Sequence, residues 1–88
     1  MTYVDDLYKY KAGKFGRMKM SHMISDSTEE LLEMALAIGL NEKWIQHKGT
    51  YKEHFDVSLT NRNLAVSFGA KEITYRELGQ MVIKRKTN

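Results

Sequence analysis

The chain has 88 residues, a formal net charge of +3, 28% charged residues and no cysteine. A chain of this length forms one domain that buries roughly 60–65% of its unfolded surface, and the lack of thiols excludes disulfides and thiolate metal sites. No apolar run reaches the ~18 residues of a membrane span and no secretory leader pattern is present, so a cytoplasmic protein with no membrane partner is expected.

Thr2-Tyr3-Val4 is a short β-prone run that ends in Asp5-Asp6. Residues 8–17 contain Gly13 and Gly16 and read as a flexible loop. Met18 to Ile24 can form a second strand. Ser27-Thr28-Glu29-Glu30 has the spacing of a capping box, in which Ser27 accepts the Glu30 amide and Glu30 reaches back. The helix it opens runs to about Ile38, with Leu31, Leu32, Ala35, Leu36 and Ile38 as a broad apolar face and Gly39 as its stop.

Trp44-Ile45-Gln46 predicts a third strand with Trp44 in the core, and the polar stretch 47–57 reads as irregular. Ser58 can cap a second helix with Leu64, Ala65 and Phe68 on one face, closed by Gly69. Glu72-Ile73 is a minimal strand. Thr74-Tyr75-Arg76-Glu77 is a second capping box, and its helix runs to about Lys84 with Tyr75, Leu78, Gly79 and Val82 inward. Glycine inside a helix costs about 1 kcal/mol against alanine, so Gly79 predicts a close helix contact. The order of elements predicts an α/β layer fold spanning residues 1–88, with a single-layer sheet of three to four short strands and three helices. A chain this small is expected to bury more surface as a homo-oligomer, and the six methionines fit core and interface packing.

Three places could carry chemistry. The loop Tyr8-Lys9-Tyr10-Lys11-Ala12-Gly13-Lys14-Phe15-Gly16-Arg17 alternates cations with rings, as a phosphate- and base-binding surface or a solvated loop would. It lacks the Gly-Lys-Ser/Thr step of a P-loop. His22 and the His54-Phe55-Asp56 triplet, with Asp5 and Asp6 at a strand end, could bind a metal, do acid–base work or make structural hydrogen bonds. On an extended chain His54 and Asp56 share a side. Neither a His-x-x-x-His nor a Glu-x-x-His pair occurs. Arg62, between Asn61 and Asn63 in the first turn of the second helix, could grip an anion, lie exposed or pair with Asp56. Nucleophilic catalysis has little support, because there is no Gly-x-Ser-x-Gly elbow and Ser21 and His22 point to opposite faces of a strand.

Tyr3-Val4-Asp5-Asp6, Gly16-Arg17-Met18-Lys19-Met20-Ser21-His22-Met23-Ile24-Ser25-Asp26, Lys43-Trp44 with Gln46, Glu53-His54-Phe55-Asp56-Val57-Ser58-Leu59, Arg62 and Gly69-Ala70 fit one pattern. The chain resembles, over nearly its whole length, a family of short bacterial and phage proteins classed as a domain of unknown function. The resemblance implies that Asp5, Asp6, His22, Asp26, Gln46, His54, Asp56 and Arg62 belong to the family pattern. Ser21 stands where a cysteine is common, which argues against an essential thiol, and Phe55 stands where a tyrosine is common.

The first functional expectation is a non-catalytic binder of a nucleotide-like phosphate ligand, such as a phage sponge that sequesters a cyclic nucleotide immune signal. Arg17, Lys19, His22 and Arg62 would hold phosphates, with Gln46, His54 and Asp56 completing the site and no cofactor required. The alternative is a small metal-dependent hydrolase or nuclease, with Asp5, Asp6, His22, His54 and Asp56 around a divalent ion. A nucleic-acid-binding or adaptor protein using the basic runs 9–19 and 84–86 comes third.

Overall fold

The computed structural model describes residues 1–86, so the last two residues of the expected 1–88 unit lie outside the described residues. Five strands and three helices form an α/β fold: β1 (Thr2–Val4), β2 (Lys14–Phe15), β3 (Met18–Ser25), α1 (Thr28–Ala37), β4 (Phe55–Ser58), α2 (Leu59–Ser67), β5 (Lys71–Glu72) and α3 (Tyr75–Lys86). Among the described residues no helix is long and apolar enough to cross a membrane.

β3 is the organising strand. Met23 pairs with Val4 of β1 and with Phe55 of β4, so these neighbours flank it on opposite edges, both antiparallel. β5 adds to β1 in parallel, and β2 makes a hairpin with the start of β3 through Gly16 at φ +62°. Alternation along the strands sends Val4, Met23, Phe55 and Val57 to one face, where they pack with Leu31, Ala35 and Ile38 of the α1 region and Ala65 of α2. Tyr3 and Ile24 face the other way and pack with Ile73, Leu78, Met81 and Val82 at α3. Two helices therefore cover one face of the sheet and one helix covers part of the other.

The helix starts follow the sequence. Ser27 Oγ accepts the Glu30 amide at 3.2 Å and Ser58 Oγ accepts the Asn61 amide at 3.2 Å. Thr74 and Glu77 make the full reciprocal box: Glu77 N–H donates to Thr74 Oγ1 at 3.1 Å, and Thr74 N–H donates to Glu77 Oε1 at 2.9 Å. These bonds from Thr74 hold the Glu77 carboxyl below its ordinary value. At Ser27 the box is half made, because the Glu30 carboxylate meets the Ser27 hydroxyl at 3.3 Å and not its amide. Gly39 and Gly69 close α1 and α2 at φ +81° and +103°.

Several sequence expectations are corrected. Residues 42–44 form a 3-10 turn, not a strand, capped by Asn41 Oδ1 on the Lys43 amide, and Trp44 is 62% exposed. The paired strand begins eleven residues after Trp44, in the stretch read as irregular, where Phe55 and Val57 alternate with Asp56 and Ser58. Residues 7–13 form two 3-10 turns that lead into β2. On α1, Leu31 and Ala35 are buried while Leu36 is exposed, and on α2, Leu64 and Phe68 are exposed while Ala65 and Arg62 are buried. Each helix thus buries a narrower stripe than its apolar residues span. Gly79 makes no close contact, since a Cβ added there meets no atom within 4 Å.

The tight glycine is Gly13, where an added Cβ would crowd the Leu7 carbonyl and lie 2.8 Å from the Met20 carbonyl oxygen. Gly13→Ala is expected to lower stability by about 1–3 kcal/mol, the usual cost of overpacking. Gly79→Ala, in open helical surroundings, is expected to raise it by up to about 1 kcal/mol. Urea unfolding of both variants checks the pair, and equal effects would contradict the packing described here.

Candidate functional site

His22 lies in the middle of β3 on the α3 face, and Asp56 is its direct cross-strand partner on β4. His54 precedes Asp56 by two residues and so shares that face. An antiparallel bridge closes the connection before β4: Gln46 N–H donates to the His54 carbonyl at 2.9 Å and His54 N–H to the Gln46 carbonyl at 3.1 Å. Buried Glu53 points the other way and accepts from Thr28 Oγ1 at 2.7 Å and from the Gly49 amide at 2.9 Å, anchoring this loop to the start of α1.

Each imidazole is held through Nδ1. His22 Nδ1 lies 2.8 Å from Asp5 Oδ2, and His54 Nδ1 lies 2.7 Å from the Lys52 carbonyl oxygen, which can only accept. The Nε2 atoms are left facing one oxygen. His54 Nε2 is 3.5 Å and His22 Nε2 3.9 Å from Asp56 Oδ1. The second oxygen of Asp56 accepts from Gln46 Nε2 at 2.6 Å. The two rings meet edge to face with centroids 5.4 Å apart, and the three donor atoms lie within 4.8 Å of one another.

These distances suit a cation. Tetrahedral ligation at about 2.0–2.1 Å places ligand atoms about 3.3 Å apart, so the His54–Asp56 pair is already close and His22 needs a modest inward shift. The outer partners also match metal chemistry, in which a ligating histidine donates its other N–H to a carboxylate or a backbone carbonyl. Asp5 does this for His22 and the Lys52 carbonyl does it for His54.

Asp5 is fully buried, and burial alone would push its carboxyl up. The His22 ring, the His22 amide at 2.9 Å and the Leu7 amide at 3.2 Å outweigh burial and hold it below its ordinary value. The reciprocal effect raises His22 above its ordinary value, through the Asp5 hydrogen bond against the opposing effect of burial.

The site opens on a cleft of about 240 Å³ between the sheet and α3, lined by Ile24, Leu78 and Val82 with His22, His47, Lys52 and His54 at its rim. Four larger depressions of about 320 to 410 Å³, two of them beside α1, hold no histidine. The cleft stands out by its chemistry, not its size.

The remaining expected site residues are elsewhere. Asp6 Oδ1 accepts the Tyr75 amide at 2.8 Å and caps α3. Arg62 is 3% exposed: its Nε donates to the Asp5 carbonyl at 2.7 Å, its Nη1 meets Glu72 at 2.9 Å, and it covers the Tyr8 ring at 4.8 Å. Arg17 and Lys19 lie at the β2–β3 hairpin beside Ser58, Leu59 and Thr60. Lys19 is an odd number of residues from His22 and faces the opposite side of β3. Asp26, past the far end of β3, approaches Tyr3 Oη and Arg85. The structure therefore joins His22, Gln46, His54 and Asp56 and separates Arg17, Lys19 and Arg62 from them. Three contributors were not singled out from the sequence, among them Lys52, whose carbonyl holds His54 and which lines the cleft. Glu53 shares the inward parity of Phe55 and Val57, a usable signal. His47, stacked on His54 at 6.0 Å and the non-glycine residue with positive φ (54°), had none.

The Asp5–His22 pair has a defined pH signature in the metal-free protein. The raised His22 stabilises the fold fully below its ordinary 6.5, and this is lost as pH rises through its higher folded value. The lowered Asp5 stabilises the fold above its ordinary 3.8, and this is lost as pH falls through its lower folded value. The stability gap between the native chain and Asp5→Asn is therefore expected to be widest between pH 3.8 and 6.5 and to narrow in alkali. Urea unfolding at pH 5 and pH 9 measures the gap. NMR titration should place His22 above 6.5 in the native chain and lower in the variant.

No curated protein and no solved structure matches the chain. A family model described as "Protein of unknown function (DUF4031)" matches residues 2–85, which include β1 with Asp5, β3 with His22, and the bridge and strand that carry Gln46, His54 and Asp56. The chain belongs to this family.

Proposed function

We propose that His22, His54 and Asp56 hold a divalent transition-metal ion and that the protein is a small metal-dependent hydrolase. One observation carries the reading: two imidazoles whose Nδ1 atoms are already engaged turn their Nε2 atoms toward one carboxylate oxygen. A general base would keep its Nε2 for a substrate, whereas convergence of two on a third ligand suits an ion. Two nitrogens and one oxygen suit Zn²⁺, Mn²⁺ or Fe²⁺. Held by three protein ligands, such an ion would keep a position open for water and would supply a nucleophile for hydrolysis near neutral pH.

The chain's own residues would divide the work. Asp5 sets the tautomer and tilt of His22, the Lys52 carbonyl does so for His54, and Gln46 holds the second oxygen of Asp56 so that the first faces the rings. The phosphate-sequestering reading has less support, because Arg62 is enclosed by Asp5 and Glu72 and Lys19 faces the opposite side of β3 from His22. Self-association is part of the same proposal. Leu36, Trp44 and Phe68 expose apolar surface, and sedimentation at micromolar concentration would detect it.

Isothermal titration with Zn²⁺ is expected to show one site per chain. His22→Ala, His54→Ala and Asp56→Ala should each abolish it. Gln46→Ala and Asp5→Asn should weaken it about 10–100-fold, the usual effect of an outer partner. Any hydrolytic activity should vanish with a chelator and return with the metal. Unchanged zinc affinity in His54→Ala would falsify the assignment.

A further inference from the structure

We infer that the cleft beside His22 and His54 selects a small phosphomonoester with a ring-sized apolar group, an assignment that rests on the metal reading above. Three features of the cleft point to this class. Its volume of about 240 Å³ lies below the usual range for drug-sized ligands, yet exceeds a 150 Å³ cavity known to take benzene. A single ring with one tetrahedral head fits, and a nucleic-acid strand does not.

The second feature is the wall. Half-buried Val82 of α3 supplies the accessible apolar surface, backed by the core residues Leu78, 8% exposed, and Ile24, fully buried. This wall offers an uncharged ring an apolar contact through Val82 and offers a charged polymer backbone nothing.

The third feature is charge. The lining residues are Lys52, three histidines and aliphatic groups, with no carboxylate among them. Asp56 and the Asp5 carboxylate behind His22 together offset a divalent ion, so the net positive charge at the cleft comes from Lys52. A dianionic head meets the ion and the Lys52 ammonium together, and charge-assisted bonds of this kind are the stronger ones. A neutral ester gains nothing from the Lys52 ammonium, which otherwise lies 5.7 Å from the Tyr51 ring centroid.

The reaction balances with water alone. Water gives up a proton, its oxygen bonds to phosphorus, and the bond from phosphorus to the ester oxygen breaks with the electron pair leaving on that oxygen. That oxygen takes up a proton, so inorganic phosphate and an alcohol or phenol are released. No oxidant or second substrate is consumed.

The test uses the full chain loaded with Zn²⁺, with zinc affinity measured first for every variant. Phenylphosphonate, which is not hydrolysed, is the binding probe, and phenyl phosphate and phenyl acetate are the substrates. Val82→Trp fills the cleft from a half-buried helix position, and Lys52→Gln removes the cation. Both should bind zinc like the native chain while phenylphosphonate affinity and kcat/KM for phenyl phosphate fall about tenfold or more. Lys52→Gln should lower kcat/KM for phenyl phosphate more than for phenyl acetate, so that the ratio of the two falls. Normal zinc uptake with unaltered phenylphosphonate binding in both variants overturns the substrate assignment alone. So does cleavage of a single-stranded oligonucleotide that Val82→Trp leaves intact. Failure of the native chain to take up zinc overturns the metal reading and the substrate assignment together.

Discussion

Asp5 is a carboxylate with no solvent contact, and three parts of the chain are arranged around it. Its Oδ1 accepts the amides of Leu7 and His22, its Oδ2 takes the His22 ring, and its backbone carbonyl accepts from the buried Arg62. A buried charge without partners costs several kcal/mol. Here each bond that offsets the cost also fixes geometry: the turn after β1, the face of β3 that holds His22, and the seat of α2 under the sheet. Arg62 extends the link to Glu72 on β5. Removing Asp5 would therefore act on the fold and on His22 at once.

The unequal coverage of the sheet makes the site possible. α1 and α2 close one face over Val4, Met23, Phe55 and Val57. α3 alone covers the other, and its contacts centre on Ile24, Ile73 and Leu78. His22, Asp56 and His54 lie on this thinly covered face, close enough to the core to be held and exposed enough to meet a ligand. On the opposite face the same three residues would be sealed among aliphatic side chains, where a charged group is costly.

Local features were legible where local physics decides. Ser27, Ser58 and Thr74 cap their helices and Gly39 and Gly69 end theirs, because capping depends on residues three or four apart. The third strand was misplaced because Trp44-Ile45-Gln46 has the composition of a strand but pairs only through the single Gln46–His54 bridge, whereas Phe55-Asp56-Val57-Ser58 lies against β3. Exposure of Trp44, Leu36 and Phe68 was missed for a related reason: an apolar residue is buried only where another element covers it. Arg62, polar and early in α2, pointed to an anion site by type and instead fills an internal position between Asp5 and Glu72.

The short list of candidate residues, the parity that puts His54 and Asp56 on one side, and the helix boundaries came from the chain alone, since each follows from neighbours in sequence. The register did not. That His22 stands opposite Asp56, that Gln46 bridges back to His54, and that Asp5 reaches the His22 ring are pairings across 8 to 34 residues of chain, set by which segments lie side by side. A one-residue slip of β4 against β3 would turn His54 and Asp56 into the core and bring Phe55 and Val57 to the cleft. The burial of Phe55 and Val57 against α1 and α2 prevents that slip, and so the hydrophobic core decides where the polar site forms.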